Sequence, residues 1–164
     1  MPSLSRGQSW DAANPGTLVV ACSDGRFQEE LDAFLHTQLG LRQYDRLYLP
    51  GGAGALAPSG IEFTRAQQVR KECQFLIEAH GIERVILLFH GPAADGPEEA
   101  ACGDYRRKFP GRSAHEIRRR QDDDLTEVLR SGISRGVTVE CYRCEVTALG
   151  TVQFVPMPTA GVDQ

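Results

Sequence analysis

The segment Cys22-Ser23-Asp24-Gly25-Arg26 puts a thiol, a carboxylate and a guanidinium within one short stretch, and His90 and Cys102 add an imidazole and a second thiol. Thiolate sulfur and imidazole nitrogen are ligands that zinc favours. A Cys2His set leaves one tetrahedral position open for water, as catalytic zinc sites do and closed structural ones do not. A metal in that state lowers the pKa of its water to about 7, which makes a nucleophile available at neutral pH. Arg26 can hold Asp24 ionised through a fork of charge-assisted hydrogen bonds. Asp24 can then accept a hydrogen bond from the bound water, or it can take the fourth position itself and close the site.

These residues act together only if the chain brings them together. Residues 17–22 (TLVVAC) are apolar and rich in β-branched side chains, and they predict a buried strand ending on Cys22. Residues 28–39 predict a helix, with Leu31, Phe34, Leu35 and Leu39 at helical spacing and Gly40 closing it. Residues 44–49 predict a second strand, stopped by Pro50-Gly51-Gly52. A long amphipathic helix is expected over 61–80, its stripe running through Val69, Cys73, Leu76 and Ile77, with Gly81 as its end. Residues 84–89 (RVILLF) are the clearest strand, and His90 follows it.

Residues 90–111 lose periodicity and are rich in glycine and proline, which predicts a long loop of the functional or mobile kind. Ser113-Ala114-His115-Glu116 has the form of a capping box opening a helix to about residue 130. The basic run 118–120 and acidic run 122–124 within it read as a solvated face with opposite charges three and four residues apart. Residues 136–142 and 151–155 read as closing strands. Alternating strands and helices imply an α/β fold, a mainly parallel β-sheet flanked by helices. In such sheets working residues collect at the carboxyl ends of strands, where Cys22 and His90 stand.

A length of 164 residues favours one domain, read as residues 17–164 behind a polar arm of residues 1–16. The 41% apolar content suffices for a core. Basic residues number 18 and acidic ones 22, a net charge of −4 that argues against nucleic acid as a partner. Residues 1–15 lack the apolar core of a signal peptide, and the longest apolar run, 85–89, is too short to span a bilayer. A cytoplasmic protein with no membrane partner is therefore expected. There the five cysteines are thiols, ligands or core residues rather than disulfides.

Other motifs have plainer readings. Cys141 and Cys144 have Cys-x2-Cys spacing, but no second pair accompanies them and residues three apart on a strand face opposite sides, so a shared metal or redox role is not expected of them. Cys73 sits on a helix's apolar stripe. His36, His80 and His115 are expected at the surface, and Glu98-Glu99 in a solvated loop. The Gly52 to Ala57 stretch loosely fits a dinucleotide fingerprint, yet it follows the second strand and Pro58 interrupts the helix start that a phosphate would need. A close-packed loop explains its small residues better.

Taken in order, Cys22-Ser-Asp24-Gly-Arg26 after the first strand, then Gly52-Ala53-Gly54, then Leu88-Phe89-His90, then Cys102-Gly103 resemble the pattern of β-class carbonic anhydrases. The resemblance runs over residues 17–103, and residues 138–155 are compatible with it. It implies that Cys22, His90 and Cys102 bind zinc, that the Asp24–Arg26 pair assists, and that the substrate and product are carbon dioxide and bicarbonate. It also implies a homodimer or a multiple of dimers. Backbone amides near Gly52, Ala53 and Gly54 are expected to help hold substrate or product.

Two features depart from the pattern. Eleven residues, 91–101, separate His90 from Cys102 where the pattern has two. Pro50 and Ala55-Leu56 flank a loop that elsewhere carries an Arg or Asn shaping the pocket. A longer loop closes at little extra entropic cost, so the insertion can return Cys102 to the metal. Alternatively it removes the ligand and leaves a non-catalytic zinc-binding or assembly protein. A third alternative keeps the site and changes the substrate to carbonyl sulfide or carbon disulfide.

Overall fold

The computed structural model describes residues 7, 9–60, 62–133 and 135–159. Residues 1–6 and 8 of the expected arm, and 160–164 at the other end, lie outside the described residues. Strands β1 (Thr17–Ala21), β2 (Asp45–Tyr48), β3 (Arg84–Pro92), β4 (Thr138–Val146) and β5 (Val152–Pro156) form one sheet in the order β2-β1-β3-β4-β5. The pairings of β2 with β1, β1 with β3 and β3 with β4 are parallel, and β5 returns antiparallel along β4. The mainly parallel sheet flanked by helices is thus the one the strand–helix alternation predicts.

Both faces of β1 and β3 are covered, which is why their sequences are continuous apolar runs rather than alternating ones. Leu18, Val20, Leu87 and Phe89 point into the larger core with Val69, Cys73, Ile117, Leu125 and Val128. The last five come from α2 (Phe63–His80) and α4 (Ala114–Val128). Val19, Ala21, Ile86 and Leu88 point the other way, against Leu31, Phe34 and Leu35. These three belong to α1 (Gln28–Ala33) and its wider π-helical continuation Phe34–Gln38. Phe34 stacks on Phe154 with ring centroids 4.0 Å apart, so this helix covers the β5 side as well.

The elements differ from the expected ones in four places. The strand read as 84–89 extends to Pro92, so His90 lies inside β3 and is paired in register with Cys144 of β4. The strand read as 136–142 likewise runs on to Val146. The expected loop 90–111 contains a 3-10 turn, Glu98–Ala100, and a short helix α3 (Gly103–Lys108). Its sequence GDYRRK is too short and too charged to show helical periodicity. The helix expected over 61–80 is described from Phe63, and Ile61 lies outside the described residues.

A further difference is one of burial. The 118–124 charges are not a purely solvated face. Asp124 is 0% exposed and accepts hydrogen bonds from the Tyr105 hydroxyl at 2.6 Å and the Ser59 hydroxyl at 3.0 Å. The expected four-residue pairing does form, Arg120 Nε lying 2.8 Å from Asp124 Oδ1. The Ser113–Glu116 capping box forms as read. Among the described residues, no helix is long and apolar enough to cross a membrane.

Candidate metal centre

Three chain segments converge at the carboxyl edge of the sheet. Cys22 is the first residue beyond β1, and the turn that follows is held by Ser23 N–H donating to Leu49 O at 3.2 Å. Asp24 caps the 3-10 turn Gly25–Phe27, its Oδ1 accepting from the Arg26 amide at 3.1 Å. His90 projects from β3, and Cys102 is the residue preceding α3. The two sulfurs and an imidazole nitrogen lie within 4.8 Å of one another. The insertion therefore does bring Cys102 back to His90 and Cys22.

His90 is 4% exposed, and among the described residues neither of its ring nitrogens has a hydrogen-bond partner. Asp24 Oδ2 is 3.9 Å from its Nε2, beyond hydrogen-bonding distance. The Phe27 ring tilts against the imidazole with centroids 4.6 Å apart, and Gln121 donates only to the His90 carbonyl, at 2.9 Å. A buried imidazole left without partners costs free energy that a metal ligand would recover. Together with two adjacent sulfurs, this donor set fits zinc.

The two thiols perturb one another in opposite directions. Cys22 is held down to about 4, first by the hydrogen bond from Cys102 and then by His90, which together outweigh its burial. Cys102 is pushed up by the neighbouring Cys22 and by burial. Binding a cation favours release of the remaining proton, since zinc takes cysteine as thiolate.

Asp24 and Arg26 form the fork expected of them. Arg26 Nε lies 3.0 Å from Oδ1 and 3.1 Å from Oδ2, and Nη2 lies 2.6 Å from Oδ2. Arg26 holds the Asp24 carboxyl below its ordinary pKa, against the opposing effect of burial. Asp24 is thus turned onto Arg26, and its oxygens are not part of the converging donor set.

Two spaces adjoin the cluster. A small pocket of about 20 Å³, room for a water-sized group, is walled by Phe27, Leu31, Leu88 and Cys144 beside Cys22, Asp24 and His90. A more open cleft of about 230 Å³ shares Cys22, Asp24 and Leu31 and is otherwise lined by Gln28, Asp32, Arg46 and Tyr48 among others. Neither is lined by Gly52, Ala53 or Gly54. Those residues form a buried 3-10 turn in which Gly52 N–H donates to Leu49 O and Gly54 N–H to Gly51 O, each at 3.0 Å. The amides of Gly52 and Gly54 are thus engaged within the turn.

Two features of the site escaped the sequence reading. Cys144 is buried and walls the small pocket, and only the register of β4 against His90 reveals this. Glu98 and Glu99 read as solvated loop, yet the Glu99 carbonyl accepts from Arg26 Nη1 at 2.9 Å. No local pattern marks a backbone acceptor seventy-three residues away. Cys141, as expected, faces the other side and approaches the Met157 sulfur at 3.8 Å.

Fold and cluster together define a parallel α/β domain with a Cys2His donor set at the carboxyl edge of its sheet. No protein-family model matches the sequence, and no curated protein does. Solved structures similar to this chain include the β-carbonic anhydrase CafA of Aspergillus fumigatus, at 16% identity, 87% coverage of this chain and 76% of that one, TM-score 0.44. A carbonic anhydrase from Glaciozyma antarctica is 17% identical, with 87% and 82% covered and a TM-score of 0.43. The β-carbonic anhydrase CafD of Aspergillus fumigatus is 9% identical, with 94% and 95% covered and a TM-score of 0.46.

Proposed function

We propose that this chain is a zinc-dependent lyase that hydrates carbon dioxide reversibly to bicarbonate. The observation that carries it is the buried, unpartnered imidazole of His90 set between the sulfurs of Cys22 and Cys102. These three residues would hold the ion, which when bound supplies the Lewis acidity that lowers the pKa of a water to about 7. Arg26 keeps Asp24 ionised and oriented, so that Asp24 is an acceptor for the proton of a hydroxyl entering the pocket. Phe27, Leu31 and Leu88 exclude bulk water and accept a small uncharged substrate. The wider cleft beside Asp24 offers a charged product a solvated way out. A homodimer or multiple of dimers belongs to the same proposal and is read by sedimentation.

Stopped-flow hydration of carbon dioxide by zinc-loaded protein, beside His90→Ala, tests the reading. Catalysis by the parent and none by the variant supports it. A zinc-loaded parent with no hydration activity overturns it, and the same protein assayed with carbonyl sulfide then decides for or against the sulfur analogue.

A further inference from the structure

The insertion between His90 and Cys102 is fastened at several points. The Pro92 carbonyl accepts from Arg118 at 3.3 Å, and Ala93 N–H donates to Val146 O at 2.8 Å. At Gly96 a β-carbon would come within 2.1 Å of the Val146 carbonyl, so the loop lies directly against the end of β4. The Glu98 carboxylate accepts from the Ala114 amide, at 3.1 Å for one oxygen and 2.9 Å for the other. There it also meets the positive end of the α4 dipole. Arg106 reaches both the carbonyl of Glu98, at 2.5 Å, and its carboxylate, at 3.1 Å. Glu98 also closes the 3-10 turn, its carbonyl accepting from Ala101 N–H at 3.1 Å.

The turn fixed in this way presents the Glu99 carbonyl to Arg26 Nη1, the guanidinium nitrogen not bonded to Asp24. Arg26 is 55% exposed at its side chain, so burial does little to immobilise it. Its two ends are instead held by Asp24 and by the insertion.

We propose that Glu98 is a positioning residue: by anchoring the inserted segment to the start of α4 it aims the Glu99 carbonyl at Arg26, and through Arg26 it orients Asp24. The insertion is then a strut of the site. This rests on the functional reading above for its effect on rate, but not for its effect on Arg26 itself.

The test compares Glu98→Ala and Glu98→Gln, the second of which keeps an acceptor for Ala114 N–H. Glu98→Ala should keep zinc and lose about tenfold in kcat with KM little changed, as expected when a positioned group drifts. Glu98→Gln should recover most of that loss. In an Arg26→Ala background, Glu98→Ala should cost nothing more, because the two act as one unit. An undiminished kcat, a glutamine no better than alanine, or full additivity with Arg26→Ala overturns the proposal.

A second readout does not need activity. Exchange of the Arg26 Nε–H with solvent, followed by NMR on metal-free protein, should quicken by about tenfold in Glu98→Ala as the opening free energy falls. Unchanged exchange overturns the proposal even in an active enzyme. Quickened exchange in Glu98→Ala, beside a parent that hydrates no carbon dioxide, upholds the strut and sinks only the functional reading.

Discussion

Two buried polar clusters lie on either side of the small-residue turn at Gly52–Leu56, and they differ in how their polar atoms are satisfied. Around Asp104 and Asp124 the groups answer one another. Lys108, whose side chain is fully buried, lies 3.3 Å from Asp104 Oδ2 and donates to the Gly54 carbonyl at 3.2 Å, while Arg65 and Arg107 reach Asp104 Oδ1. Asp124 is closed in by Tyr105, Ser59 and Arg120. Asp104 Oδ2 and Asp124 Oδ1 lack a well-aligned hydrogen bond, yet each sits within ion-pair reach of a cation. At His90, among the described residues, neither ring nitrogen has a hydrogen bond, and Asp24 Oδ2 stands 3.9 Å from Nε2, at the edge of ion-pair reach. A buried group that is satisfied from within the chain serves the fold, and one that is not points to something the chain binds.

That contrast can be broken by exchanging what each cluster loses. Cys22→Ser and His90→Ala should each drop zinc from about one per chain to a small fraction, by elemental analysis, and abolish hydration, because zinc ligation rests on the full donor set. Metal-free His90→Ala should unfold at nearly the same denaturant concentration as the metal-free parent. Full zinc retention in either variant would falsify the ligand assignment.

Asp124→Ala should do the reverse. It leaves the buried hydroxyls of Tyr105 and Ser59 without their acceptor and should cost about 2–4 kcal/mol in urea unfolding, with zinc per folded chain unchanged. Arg26→Ala should keep the metal and lose about a hundredfold in kcat, as a mispositioned acceptor does; an unchanged rate would make the fork a surface ion pair.

Smaller effects sharpen the picture. Cys22 has a folded pKa of about 4 against an ordinary value of 9.0, so in metal-free protein it stabilises the fold above 9.0 and loses that contribution as pH falls toward 4. Its alkylation by iodoacetamide should therefore stay fast at pH 6, whereas Cys73 and Cys144, pushed up to about 12 by burial, should not react. Equal labelling of all three would remove the thiolate from the site. Ser113→Ala should cost only about 1 kcal/mol through loss of the capping box, with no change in zinc.

What could be read from the sequence was whatever local pattern determines. TLVVAC and RVILLF announce buried strands because both their faces are covered, and Ser113 with Glu116 announces a helix start because the two side chains satisfy nearby amides. Cys22, Asp24 and Arg26 could be read together since one turn holds all three. The rest depends on distant partners. His90 appeared to follow its strand, because the continuation through Gly91 and Pro92 pairs with residues of β4 that carry no matching apolar signal. Asp124 looked solvated because its partners Ser59 and Tyr105 lie in other segments. Helix α3 stayed hidden since a six-residue polar helix has almost no periodicity to display.

Gly52 lies where the backbone takes a φ of 53°, and a β-carbon there would come within 2.6 Å of both the Cys22 amide nitrogen and the Leu88 carbonyl. The two strands that carry Cys22 and His90 are therefore wedged against bare main chain. A designer wishing to retune selectivity would find this side of the site closed to substitution. The adjustable positions are those across from it, Leu31 and Cys144, where exchanging one side chain for another alters the room available without disturbing the donors.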